Sequence, residues 1–473
     1  MKFSTLALCF GVVSIFLLTG FRTASAIQLH EQLSLSGFVE YEFFGYVQDT
    51  KPGQVDGRNE IQFHPEFTFT PSEKLKAFVV PEFRFDGNDE ERNRIFLDEA
   101  YLDVYTESMD FRIGKQIISW GRADTMRPTD VWKIRDFTDF FDEEVEGIVG
   151  VQARYFTGDL TVTGLWIPYF QANTLPFDNE KNRFFGFPTV LPGSFIDANA
   201  GNPGSLISCA ACAYTLDYRM LDPLIPEDSV EGSEGAIKFE YTYEGWDFSL
   251  SYAYLHDRIP TSMQGLGFIF GPAATDTIVL DETSDGSTVG LAAVGIRPIH
   301  RRIHMIGTDG ATTFDKLGFR WEAAYFLTED MNGNDPTTDD PYVQVTAGFD
   351  YTFTNIYEDH DLMILVQYAN DVEAPQQGAK NIREGVNLRH FFQHGILAVV
   401  EYKVSEYFKV SGRGFVNVLN ADHNIEPEIE WSPVDGLTLT LGGTIVGGTG
   451  GKDSFFTLFE KDDRVEAAAK YSF

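Results

Sequence analysis

The last stretch of the chain, Arg464 to Phe473, alternates without a break: Val465, Ala467, Ala469, Tyr471 and the terminal Phe473 share one face. A period of two marks a strand whose two faces meet different surroundings. The pattern recurs throughout. Ile61, Phe63, Phe67 and Phe69 oppose Gln62, His64, Glu66 and Thr68, with Pro65 on the apolar side at a weak point of the ladder. Ile237, Phe239, Tyr241 and Tyr243 oppose Lys238, Glu240 and Thr242, and Trp246, Phe248, Leu250, Tyr252 and Tyr254 follow after only Glu244 and Gly245. Val343 to Phe353 and Leu437 to Ile445 repeat it, with Gln344, Thr346 and Asp350, then Thr438, Thr440 and Thr444, on the polar faces.

This rule places eighteen strands, near 33–47, 59–70, 75–86, 95–105, 109–117, 147–156, 159–168, 235–243, 246–256, 298–306, 316–328, 341–353, 359–370, 392–403, 406–418, 424–431, 436–446 and 464–473. Connections after even-numbered strands are all tight, whereas those after odd-numbered strands include 118–146, 169–234 and 257–297. An even count, with short turns at one end and long loops at the other, is what a single-chain membrane barrel requires. A soluble sandwich would bury the same aromatic faces in a core, but it explains neither the loop asymmetry nor the aromatic terminus. The expected fold is an all-β, transmembrane, antiparallel up-and-down β-barrel of about eighteen strands, with sixteen as the alternative.

The ends agree with this. Residues 1–26 carry Lys2, an apolar run from Leu6 to Leu18 and Ala24-Ser25-Ala26, so a signal peptide cleaved before Ile27 is expected, leaving 27–473 as the barrel with its long external loops. Beyond Ala26 no stretch approaches the roughly 18–20 apolar residues of a membrane helix. The bilayer interior otherwise admits only closed barrels, because every backbone amide must be paired. The 42 Phe, 20 Tyr and 6 Trp can supply a lipid-facing belt, and the net charge of −35 excludes nucleic acid as an ordinary partner. Expected partners are outer-membrane lipid, lipopolysaccharide bridged by divalent ions, small solutes and the barrel-assembly machinery, the last reached through the closing strand that ends at Phe473. Cys209 and Cys212 are a possible disulfide in an oxidising compartment, and Ala213 in place of histidine excludes covalent c-type haem.

The least generic segment runs Arg112-Ile113-Gly114-Lys115-Gln116, then Trp120-Gly121-Arg122-Ala123-Asp124, Pro128-Thr129-Asp130-Val131 and Arg135-Asp136-Phe137-Thr138. It resembles the porin-like Gram-negative outer-membrane proteins grouped as domain of unknown function 1302, which share an Arg-x-Gly-x-Gln strand, a Trp-Gly-x-Ala-Asp turn and an Asp-Phe element. Asp98-Glu99-Ala100-Tyr101-Leu102-Asp103 and Leu165-Trp166-Ile167-Pro168 fit the same pattern, while Lys133-Ile134-Arg135-Asp136 departs from an Asn-Pro-x-Asp turn. The resemblance implies a barrel in the bacterial outer membrane and does not transfer a substrate.

Segment 118–146 concentrates both signs of charge with Trp120, Trp132 and the Phe137–Phe141 aromatics, too apolar for a merely solvated loop. We expect it to fold into the lumen. There Arg122, Asp124, Arg127, Asp130, Arg135 and Asp136, with Arg112, Gln116 and Arg154 on adjacent strands, would line a pore constriction with a transverse field. A salt-bridged plug or a loop stapled to the wall would use the same residues. The function expected is a porin-like channel for passive diffusion of small polar or amphipathic solutes. The alternatives are a plugged surface receptor or structural barrel binding through its loops, or a conduit for apolar molecules entering near Phe184, Phe185, Phe187, Phe195 and Gly265–Gly271.

Other chemistry is weakly supported. Asp330, Asn332 and Asn334 open like a calcium loop but lack its closing bidentate acid, and His300, Arg301, Arg302 and His304 read as a basic lumen patch. No serine or cysteine nucleophile has a base at a workable spacing, so no enzyme activity, metal or cofactor is expected.

Overall fold

The computed structural model describes residues 26–48, 55–142, 144–174, 190–192, 213–220, 223–227, 229–260, 275–281, 291–296, 298–332, 338–373, 393–419, 421–449, 455–459 and 461–473. The alternating segments form strands β1 (Leu33–Tyr46), β2 (Gly57–Ser72), β3 (Leu75–Asp86), β4 (Arg94–Tyr105), β5 (Met109–Gln116), β6 (Ile148–Thr157), β7 (Leu160–Ile167), β8 (Glu234–Tyr243) and β9 (Trp246–His256). Then follow β10 (Arg302–Phe314), β11 (Leu317–Leu327), β12 (Tyr342–Tyr357), β13 (His360–Glu373), β14 (Gly395–Ser405), β15 (Phe408–Asn417), β16 (His423–Val434), β17 (Leu437–Gly447) and β18 (Arg464–Ser472).

Each strand pairs antiparallel with its chain neighbours, and β18 closes the ring on β1 from Tyr46↔Arg464 to Phe38↔Ser472. The seal is completed by the last residue. Phe473 and Gly37 exchange both backbone hydrogen bonds, at 2.9 and 3.0 Å. A short strand, Ile27–His30, folds back on residues 33–35 of β1 and covers the part of that edge beyond the C-terminus. Closure matters because an open edge in hydrocarbon would leave its amides unpaired.

Eight connections at one end are two or three residues long, among them 73–74, 106–108, 244–245 and 435–436. The connections at the other end include 117–147, 168–233 and 257–301. The last two jointly build a small four-stranded sheet, in which Ala213–Met220 runs parallel to Leu291–Ile296. Among the described residues no helix is long and apolar enough to cross a membrane. Ile237, Phe239, Leu250, Val366 and Leu441 are exposed on the outer face, and Tyr243, Trp246, Phe314 and Trp431 lie near the short turns, as an interfacial girdle does.

The largest departure from the expected bounds is in β10, expected at 298–306 and found at Arg302–Phe314. Gly307 to Asp315 reads as a turn, yet β10 continues through it to Phe314. Gly310 faces Trp321 across the ladder, and a Cβ there would strike the indole ring, so the glycine makes room for an aromatic rather than a bend. Asp309, fully buried, is held by Ser249 and Arg122.

Candidate functional site

Segment 117–147 leaves β5 and re-enters the wall at β6, but its side chains bond to inward-facing residues far around the ring. Its first limb rests on β10, β11 and β13. The buried Glu322 carboxylate accepts the Ala123 N–H at 2.6 Å and, from Thr129, the hydroxyl at 3.0 Å and the N–H at 3.3 Å. Gly121 permits this approach, since its φ is +87° and a Cβ would collide with that carboxylate. Arg122 pairs with Asp309 and reaches Glu240 at 3.5 Å. Asp124 takes Arg320 at 2.8 Å and Gln367 Nε2 at 2.9 Å, while Gln367 Oε1 accepts the Thr125 hydroxyl at 2.6 Å.

An apolar contact fixes the same limb. Trp120 and Trp132 meet edge to face, with ring centroids 5.9 Å apart. They pack with Ile118 and Ile134 against Leu165, Ile167, Leu255, Ile303, Met305 and Phe326 on β7 to β11, an unusually dry patch of inner wall. Asp130 organises the bend between the tryptophans, accepting the Trp120 N–H at 2.9 Å and pairing with Lys133 at 2.9 Å.

The return limb is acidic and lies on a basic wall. Ile134–Asp136 pairs with Glu144–Glu146. Arg464 binds Asp139 through both carboxylate oxygens, at 2.9 and 2.7 Å, and Arg58 adds a bond to Asp139 at 2.9 Å and an ion pair with Asp142. Arg84 pairs with Glu144 at 2.5 Å, and Arg94 with Glu146 at 2.9 Å. Phe140 and Phe141 stack among Phe455, Phe456 and Phe459 from the segment before β18.

Burial pushes the Asp139 carboxyl up, but Arg464, Arg58 and Arg92 outweigh it and hold it at about 2. A depressed pKa contributes stability that is full above the unfolded value, near 4, and lost as pH falls through the folded one. Glu144 is shifted the other way, raised by burial and the neighbouring Asp142 against Arg84, so acidification relieves it. Both signs predict that the loop stays docked from pH 7 down to about pH 4. A conductance step within that interval would contradict this docking.

The site residues named from the sequence separate into groups. Arg122 and Asp124 reach the distant wall, Asp130 and Arg127 work within the loop, and Asp136 caps Thr138 at 2.9 Å and lies 3.6 Å from Arg94. The Arg135 backbone N–H bonds Asn173 at 2.9 Å. Gln116 is buried in the wall, donating to the Gly150 carbonyl at 3.2 Å. Arg112 and Arg154 stand apart from the loop, paired with Asp103 at 2.7 Å and Asp110 at 3.1 Å, and Arg112 is roughly 13 Å down the strand from Gln116. Cys209 and Cys212, residues 1–25 of the expected signal peptide, Phe184, Phe185, Phe187 and Phe195, and Gly265 to Gly271 lie outside the described residues.

The basic patch expected in the lumen is corrected. Arg302 stacks on Tyr254 and His304 bonds the Tyr252 hydroxyl at 2.8 Å, and both tyrosines are on the outer face. The reason is register: Ile303 and Met305 take the inward positions on β10. Sequence reading also missed Asp309, Gln367, Arg58 and Arg464 as loop anchors. Their only signal is a polar side chain at an inward position.

Against β1, β2 and β18 the docked loop leaves a gap of about 60 Å³, lined by Phe44, Arg58, Asp139 and Arg464. On the other side a cavity of about 670 Å³ remains between the loop and the wall of β9 to β16. Its lining includes the apolar side chains of Leu255, Ile303, Phe326, Tyr342, Leu397 and Phe415, which belong to the two buried clusters that hold the loop. Arg127, Lys133 and Arg135 of the loop, with Arg258 and Arg413 of the wall, face it beside the carboxylates of Asp124, Asp130, Asp139, Asp257 and Glu426.

A closed ring of eighteen strands, apolar outside and polar within, with a loop folded against its inner wall, defines a porin-type barrel of the bacterial outer membrane. The profile described as "Protein of unknown function (DUF1302)" matches residues 46–366, and the chain belongs to that family. The match extends well beyond the segment 95–170 that carries the motifs. No curated protein sequence matches the chain. Among solved structures it is similar to OccAB3 of Acinetobacter baumannii, at 9% identity and a TM-score of 0.46 over 93% of this chain and 98% of that one. It is also similar to a BenF-like porin from Pseudomonas fluorescens Pf-5, at 10% identity and a TM-score of 0.47 over 93% and 98%. The outer membrane channel DcaP of Acinetobacter baumannii aligns at 10% identity and a TM-score of 0.42 over 96% and 100%.

Proposed function

We propose that the barrel is a passive channel for small polar and amphipathic solutes, and that segment 118–146 is its constriction. The observation that carries this reading is the crossing of the lumen by the loop, which bonds to β10, β11 and β13 on one side and to β2 and β18 on the other and leaves a cavity of about 670 Å³ beside it. An eighteen-strand barrel has a lumen too wide for its own wall side chains to fill, so a crossing loop sets the free cross-section. Solutes would pass along a lining in which apolar side chains such as Leu397 and Phe415 alternate with the charges of loop and wall, a mixture suited to molecules with one greasy and one polar end.

The five cations and five carboxylates that face the cavity balance, so neither sign of small ion gains a large advantage. Purified protein in planar bilayers should therefore give discrete conductance steps, with a reversal potential near zero under a salt gradient. No steps would favour the plugged receptor. Strong cation or anion selectivity would mean that some of these pairs are open in the working channel.

A further inference from the structure

We propose that His64, Glu82 and Asp98, on the inner wall of β2, β3 and β4, bind one divalent transition-metal cation of the zinc kind. Their ligand atoms, one imidazole nitrogen and two carboxylate oxygens, all lie within 4.8 Å of one another. His64 Nδ1 and Glu82 Oε2 are 3.4 Å apart. Around a four-coordinate zinc the ligand atoms stand roughly 3.3–3.6 Å apart, so small side-chain movements complete the set.

The backbone builds this cluster. Glu82 lies directly across from His64, and beside them Pro65 lies across from Pro81, where the β2–β3 ladder breaks between Phe63↔Phe83 and Phe67↔Val79. Neither proline has an N–H to give the ladder. One strand further on, Val80 pairs with Glu99 and Pro81 with Leu97, so Asp98 is the extra residue of a β-bulge, a device that re-aims a side chain.

A second observation points to a ligand. Asp98 is 93% buried by its 7% exposure, and its Oδ1 has no hydrogen-bond partner. A buried carboxylate oxygen left in this way is costly unless a cation or a proton meets it. The other groups are already oriented. Arg84 holds Glu82 Oε1 at 2.7 Å, leaving Oε2 toward His64, and Phe38 stacks on the imidazole with centroids 4.8 Å apart and planes 11° from parallel. Three protein ligands leave a fourth position for water or a donor group on a solute. The mixed nitrogen and oxygen set favours zinc, cobalt or manganese over calcium or magnesium.

The test uses the full barrel folded in detergent, stripped with chelator and titrated with Zn²⁺ by calorimetry, with Cys209→Ser and Cys212→Ser as the background to remove thiol binding. One equivalent is expected, weakened about a hundredfold or more in His64→Asn and Asp98→Asn. Zinc-edge absorption of the loaded background barrel should show one imidazole in a nitrogen and oxygen shell. Absence of stoichiometric uptake, uptake undiminished in both variants, or a shell without imidazole would overturn the assignment.

Discussion

Removing residues 124–140 and joining the remaining limbs with a short flexible linker should raise single-channel conductance several-fold. This segment carries the contacts that cross the lumen: Asp124 to Arg320 and Gln367, Thr129 to Glu322, and Asp139 to Arg58 and Arg464. The barrel should still fold, because its strand ladder is continuous without the loop. Arg58, Arg464 and Glu322 would then face water rather than remain buried without partners, which avoids the cost of about 3–5 kcal/mol that a stranded buried charge incurs. A folded deletion variant with unchanged conductance would defeat the constriction reading and leave the loop as a wall staple.

Trp132→Ala should lower the stability of the docked loop by about 3–5 kcal/mol, the range for truncating a fully buried large aromatic. Trp132 has no exposed surface and sits at the centre of the cluster joining the loop to β7–β11. Its indole nitrogen has no hydrogen-bond partner, so Trp132→Phe, which keeps a ring in place, should cost clearly less. Thermal unfolding in detergent reads the difference, and open-channel noise should rise with the alanine variant as the loop fluctuates. Equal midpoints for the wild type and the alanine variant would show that the aromatic contact does not hold the loop.

Strand number, direction and lumen-facing side could be read from the chain wherever alternation was unbroken. Reading failed where a residue has a tertiary reason unrelated to local propensity. Gly307 and Gly310 read as a turn because nothing local tells a glycine that bends the chain from one that makes room for Trp321. The His304 face was misassigned because a strand placed by its start alone has no fixed parity, and one residue of slip exchanges its faces. For the loop, charge and aromatic content were enough to expect an inward fold. The partners were not legible, since Glu322 and Arg464 stand among many inward charged residues and lie 193 and 325 residues along the chain from Thr129 and Asp139, which they bind.

The sequence by itself determined the barrel: a period of two needs no knowledge of distant residues, and eighteen repeats of it with an apolar last strand admit one closed arrangement in a bilayer. Only the tertiary structure decided what occupies the interior. Which limb of segment 117–147 lies on which wall depends on how the strands are arranged around the ring, which sets Glu322 and Gln367 against the first limb and Arg58 and Arg464 against the return limb. The same holds for His64, Glu82 and Asp98, each unremarkable in its own strand, which two facing prolines and a bulge bring together.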